Sequence, residues 1–209
     1  MAQILKFPAP ASKFGFKRVR KAGAAAEHPS QLHLFPQSAA QVFTLRPDLS
    51  SFEQALLLDE RGDARAAEFY LKAIEEADCV ADALCNLGII ESHKGNMAKA
   101  VDCFTRSLKS NPRHSEAHYN LGNLYFDAND FRLAQLHYEI ASEVEPSFAN
   151  VYFNLALVQA LNNELTAAVN ALTKYQELAP PIEGRNADEL LRNLKKSLAA
   201  NSNSRLNSI

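Results

Sequence analysis

Residues 81–88 read A-D-A-L-C-N-L-G, and residues 115–122 read S-E-A-H-Y-N-L-G. The likeness continues downstream at one spacing. Asn86, Leu87 and Gly88 recur as Asn120, Leu121 and Gly122, Ala100 as Ala134, Phe104 as Tyr138, and Pro112 as Pro146. The period is the same at every one of these pairs. A fixed period marks a repeat architecture, in which each unit buries its apolar face only by stacking on the next. Within one unit, Leu84, Leu87 and Gly88 recur at helical spacing from Ala81 to about Lys94, and Gly95-Asn96 punctuates. A second run from Met97 to about Ser110 carries Ala100, Val101, Phe104 and Leu108 on one face. Asn111-Pro112 stops it, because the residue before proline is pushed out of the helical region. Gly88 and Ala100 stand where two helices of a hairpin cross, and their small side chains admit close backbones.

Working outward, a first, divergent unit spans 48–80. Ser50 to Glu53 is a capping-box pattern that opens a helix through about Arg61. Gly62-Asp63 is the turn, and Ala67, Leu71 and Ile74 are the expected apolar face of the second helix. Aligning Gly62 with Gly95 makes the final loop of this unit one residue short and sets Cys79 opposite Pro112. A fourth unit spans 149–180, with Leu155, Ala156, Ala168, Leu172 and Pro180 in the recurring places. A terminal helix is expected over 187–199, sealing the array with Leu190, Leu191, Leu194 and Leu198. Residues 200–209 read as a flexible tail, and residues 1–47 as a disordered arm interrupted by Pro8, Pro10, Pro29 and Pro36.

The pattern L-G…A…F…P, at positions 7, 8, 20, 24 and 32 of each unit, resembles the tetratricopeptide repeat family. The resemblance covers roughly 48–199. It implies an all-α, right-handed superhelical solenoid of about four helix-turn-helix repeats with a C-terminal capping helix. It also implies that positions 2, 5, 6, 9, 12 and 13 of each repeat face a concave groove that binds a partner segment. Position 6 is then Asn86, Asn120 and Asn154, a column of side-chain amides, each offering a donor and an acceptor to a peptide backbone. Tyr119, Asn123, Phe126, Phe153 and Leu157 complete the expected site, and the three aromatics are expected to be exposed unless something covers them. The groove positions of the three clear repeats hold no Lys or Arg. Members that clamp the acidic C-terminus of heat-shock chaperones use such cations, so that ligand is not expected.

Charge is divided unevenly. The chain has 209 residues and a net charge of −2, yet residues 1–26 contain six bases and no acid, which leaves 16 bases against 24 acids elsewhere. Lys13, Lys17, Arg18, Arg20 and Lys21, with Phe14 and Phe16 among them, give the arm an alternative role on nucleic acid or another anionic surface. A basic, acid-poor start also fits an import sequence, although Pro8 and Pro10 spoil an amphipathic helix. Folding of this arm back onto the acid-rimmed groove is a further expectation.

Catalytic patterns are lacking. The seven glycines do not cluster into a phosphate-cradling loop. Cys79, Cys85 and Cys103 show no C-x-x-C spacing and read as free thiols of a reducing compartment. His114 and His118 do not share a helical face, since His114 precedes its helix. No cofactor, metal or catalytic residue is expected. No apolar run is long enough to span a membrane, and the start lacks a secretory h-region, so the expected location is the cytoplasm. The expected function is a protein-interaction scaffold.

Overall fold

A computed structural model describes residues 49–180 and 187–206, with side chains as far as residue 199. Among the described residues the chain is all helix: α1 (Ser51–Glu60), α2 (Ala66–Glu75), α3 (Val80–His93), α4 (Met97–Ser110), α5 (Ser115–Asp127), α6 (Phe131–Val144), α7 (Ala149–Leu161), α8 (Leu165–Leu178) and α9 (Asp188–Leu206). Successive pairs form four hairpins, and each hairpin packs on the next through α2 on α3, α4 on α5 and α6 on α7. The first helix of one hairpin also touches the first helix of the next, α3 against α5, so the odd-numbered helices lie on the inside of the curve. The α9 helix packs on α8 and closes the stack. The architecture is a right-handed superhelical solenoid with a terminal cap.

Local chemistry accounts for the punctuation. Gly95, Asn129 and Asn163 stand one period apart in the hairpin turns, and each has positive φ: 80°, 60° and 62°. Glycine and asparagine are the residues that enter this left-handed region at least cost. Residues before proline are extended, as at Asn111 (φ −137°, ψ 97°) and Glu145 (φ −131°, ψ 83°). Helix α1 has the expected capping box, with Glu53 N–H bonded to Ser50 Oγ and Ser50 N–H bonded to the Glu53 carboxylate at 2.9 Å.

The helix crossings are close. A Cβ on Gly88 would lie 2.8 Å from Phe104 Cε1, and one on Gly122 only 2.5 Å from Tyr138 Cε1. Tyr70, Phe104, Tyr138 and Leu172 follow one another at the repeat period and are all wholly buried, one large side chain per hairpin. Burial of each such side chain contributes about 1.5–3 kcal/mol.

Two expectations are corrected here. The buried stripe of α2 is Ala66, Tyr70 and Ala73, whereas Leu71 is half exposed and Ala67 and Ile74 are only partly buried. Helix α1 keeps the register in which Gly62 matches Gly95, with Ala55 buried in the place of Gly88. Helix α2 keeps the full repeat period, in which Tyr70 matches Phe104. The missing residue therefore lies in the α1–α2 turn, not in the loop that follows α2. That loop has no proline and turns through left-handed Ala77 (φ 57°) and Cys79 (φ 50°) instead. The terminal helix is the second correction. It continues to Leu206, through residues expected to be a flexible tail, because nothing from Asp188 onward is a glycine or proline.

Candidate functional site

The position-6 asparagines are wholly buried on α3, α5 and α7, and each reaches back to the preceding repeat. Asn86 Nδ2 donates to Tyr70 Oη at 3.2 Å. Asn154 Nδ2 stands in the same relation to Tyr138 Oη, at 3.5 Å. It also donates to Asn123 Oδ1 at 3.0 Å and lies 3.3 Å from Tyr119 Oη. Between these two, Phe104 has no hydroxyl to offer, and Asn120 Nδ2 instead meets Cys85 Sγ at 3.5 Å. The column thus links repeat to repeat. The two tyrosine partners are groups that sequence reading missed, although the recurring i, i+16 spacing of Tyr70–Asn86 and Tyr138–Asn154 carries the signal.

Asn123 belongs to the same network. Its Oδ1 accepts from Tyr138 Oη at 2.8 Å as well as from Asn154. Among the described residues, two atoms of this network have no hydrogen-bond partner although they are buried: Asn123 Nδ2, a donor, and Asn154 Oδ1, an acceptor. Burial pushes the Tyr119 phenol up to about 12 and that of Tyr138 well above its usual value. Both therefore stay protonated and able to donate.

The expected aromatic surface is not an exposed patch. Tyr119 is wholly buried, with its ring centroid 4.8 Å from Phe148 and 6.0 Å from Tyr138. Phe153 is buried against Tyr175 at 5.2 Å, and Leu157 is buried in the same core. Phe126 is half-buried beside Phe131 at 5.5 Å. Large rings at these positions fill the gap between hairpins, which is why they are drawn inward. Lys13, Lys17, Arg18, Arg20 and Lys21 lie outside the described residues.

Acids occupy the rim. Asp82 accepts from His114 Nε2 at 2.9 Å, and Glu116 accepts from Ser115 Oγ at 2.9 Å. Asp59 accepts from Tyr70 Oη at 3.3 Å. Asp127, at the end of α5, has no hydrogen bond or ion pair among the described residues, and the surrounding chain desolvates its carboxyl enough to raise its pKa. A separate depression, of about 550 Å³, lies among α2, α3 and α4 with Leu71, Leu87 and Cys103 in its lining and none of the asparagines. Among the described residues no group of three or more His, Cys, Asp or Glu is placed to hold a metal ion, and no helix is long and apolar enough to cross a membrane.

Stacked hairpins with an inward-facing row of first helices define a scaffold of the protein-interaction class. Two models described as tetratricopeptide repeat match the sequence, over residues 81–114 and 119–181, and the chain belongs to that family. Human Tetratricopeptide repeat protein 6 is 26% identical over 108 residues, which is 52% of this chain and 21% of that protein. Human Protein O-mannosyl-transferase TMTC3 is 34% identical over 140 residues, 62% of this chain but 15% of that protein. The chain thus matches only a small part of each relative. Among solved structures, the first tetratricopeptide repeat domain of Spaghetti (RPAP3), bound to an HSP90 peptide, has a TM-score of 0.52 at 23% identity, covering 57% of this chain and 94% of that one. MamA from Desulfovibrio magneticus has a TM-score of 0.54 at 20% identity, covering 70% and 94%. These likenesses concern the fold.

Proposed function

We propose that the chain is an adaptor that binds an extended segment of a partner protein along its concave face. The segment runs along the row of first helices that carries Asn86, Asn120 and Asn154, with Tyr119, Asn123, Phe126, Phe153 and Leu157 on the same helices. The observation that carries this reading is the contact of successive first helices, α3 against α5, which sets them in one row along the inner side of the stack. The partner segment is not an acidic chaperone C-terminus, because no groove position of the three clear repeats supplies a Lys or Arg to receive it. The three cysteines form no disulfide with one another, which suits a reducing compartment and supports a cytoplasmic location.

The test is capture from lysate read by mass spectrometry. The baits are the wild type, Asn123→Ala, and the triple variant Asn86→Ala/Asn120→Ala/Asn154→Ala, each checked for native helicity and melting. Proteins retained by the wild type and lost by the folded variants support the groove. A catch that is the same on every bait removes these amides from the binding surface.

A further inference from the structure

On the outer side of the stack, the junctions between hairpins use the same repeat positions and are finished differently. Between the second and third hairpins, Tyr125 of α5 stacks on His137 of α6, with centroids 5.4 Å apart and planes 13° from parallel. Tyr125 packs on the core that these two hairpins share, so an aromatic ring fills the space. Between the third and fourth hairpins, Gln135 of α6 donates to Glu164 at 2.9 Å and accepts from Asn162 at 2.6 Å, and these bonds bridge the gap. Between the first two hairpins, the counterparts of Tyr125 and His137 are Glu91 and Cys103, and that of Gln135 is Ala67. These residues supply neither a ring nor a bridging amide, and the depression of about 550 Å³ stands open at this junction.

Its lining is apolar and accessible. Leu71 on α2 is 50% exposed, Ala98 on α4 is exposed, and Leu87 and Cys103 close the bottom. Burial raises the Cys103 pKa, so its thiol stays protonated and serves as apolar floor rather than as a nucleophile. The volume is within the range of about 300–1,000 Å³ found for ligand clefts. The rim is charged. Lys94 pairs with Glu91 at 3.1 Å, and Arg106 with Asp102 at 3.4 Å. Glu68 on the α2 wall and Lys99 on the α4 wall are exposed, and neither makes an ion pair among the described residues.

We propose that the groove between α2 and α4 is a second docking site, which takes an aromatic side chain of a partner protein carried between a basic and an acidic residue. The ring occupies the place that Tyr125 fills one repeat further on, the base meets Glu68 and the acid meets Lys99. The chain itself shows what fits, because it packs a ring at the equivalent place. The two unpaired charges on opposite walls set the flanks. The site lies on the outer side of the stack and is independent of the concave reading.

The experiment is an NMR titration of isotope-labelled full-length protein with the tripeptide acetyl-Arg-Trp-Glu-amide, and with acetyl-Arg-Ala-Glu-amide as control. One docked ring gives a dissociation constant on the order of 1–10 mM. Saturable shifts are expected at the amides of Leu71, Leu87, Lys99 and Cys103, and the alanine peptide binds at least about tenfold more weakly. The double variant Glu91→Tyr/Cys103→His rebuilds the stacked pair of the next repeat, fills the groove and abolishes the shifts. Leu71→Arg, at a half-exposed position where the fold is not at stake, weakens binding without relying on that repacking. Lys99→Glu weakens it about two- to fivefold, the worth of one exposed ion pair, and acetyl-Arg-Trp-Lys-amide restores it. The proposal is overturned if the wild type shows no saturation by about ten times the expected constant. Equal binding of the alanine peptide, shifts centred away from α2 to α4, or unchanged binding by Leu71→Arg overturns it equally.

Discussion

A single methyl group tests the packing at the helix crossings. Replacing glycine by alanine inside a helix gains up to about 1 kcal/mol of intrinsic propensity. At Gly122 the new Cβ would meet Tyr138 at 2.5 Å, and that ring cannot swing aside while its hydroxyl is held by Asn123 at 2.8 Å. Overpacking costs about 1–3 kcal/mol, so Gly122→Ala lowers the urea midpoint, and lowers it more than Gly88→Ala. At Gly88 the clash is 2.8 Å with Phe104, whose ring has no hydroxyl to hold it. A midpoint for Gly122→Ala at or above that of the wild type refutes the crowding. The histidine pair between α5 and α6 gives a second prediction. His118 Nε2 donates to Pro112 O at 3.2 Å, so its Nδ1 is free to accept from His137 Nδ1 at 3.0 Å. Burial lowers both pKa values, that of His137 to about 4 from an ordinary 6.5. The unfolded chain binds the extra protons first, so this stability is complete above pH 6.5 and is lost as pH falls toward 4. His137→Phe keeps the stacking on Tyr125 and flattens the fall in melting temperature across that window. An unchanged slope shows that the pair does not titrate this way.

At the scale of the helix, the junction between repeats is the informative feature. His114 caps α5 by accepting the Ala117 N–H at Nδ1 (3.1 Å), and its Nε2 donates to Asp82 on α3 (2.9 Å). One side chain therefore closes a helix and ties two hairpins. His114→Ala loses both contacts. Loss of a cap costs about 0.5–2 kcal/mol, and the tie adds to it, so a drop in unfolding free energy near the upper end of that range is expected. His114→Asn keeps the cap and restores part of it. If alanine and asparagine behave alike, the capping account fails. Such junctions are only partly legible in the sequence. The hairpin boundaries follow from Gly95, Pro112 and their repeats, because turn chemistry is local. The register of α2 was not legible, because Ala66, Ala67, Tyr70 and Leu71 offer two adjacent apolar stripes. Packing on Phe52 and α3 chose the one that buries Tyr70.

For the whole molecule, the solenoid's stability is a sum over neighbours rather than one global core. The buried residues form three clusters, at the junction of the first two hairpins, at the junction of the second and third, and across the C-terminal end. The last includes Leu190, Leu191 and Leu194 of α9, which cover α8. Deleting residues 187–209 exposes that face. Hydrogen exchange then accelerates in α7 and α8 and leaves α1 to α4 near their original protection, because α9 packs on α8 at the far end of the stack. Acceleration spread evenly along the chain shows instead that the repeats unfold as one unit. By itself the sequence determined the repeat, its period and the helical hairpin, since each follows from residues within one turn or one hairpin of each other. Only the tertiary structure decided what the asparagine column bonds to, and which two amide atoms it leaves unpaired. Those outcomes depend on counting donors and acceptors between residues 16 to 35 positions apart, brought together by stacking.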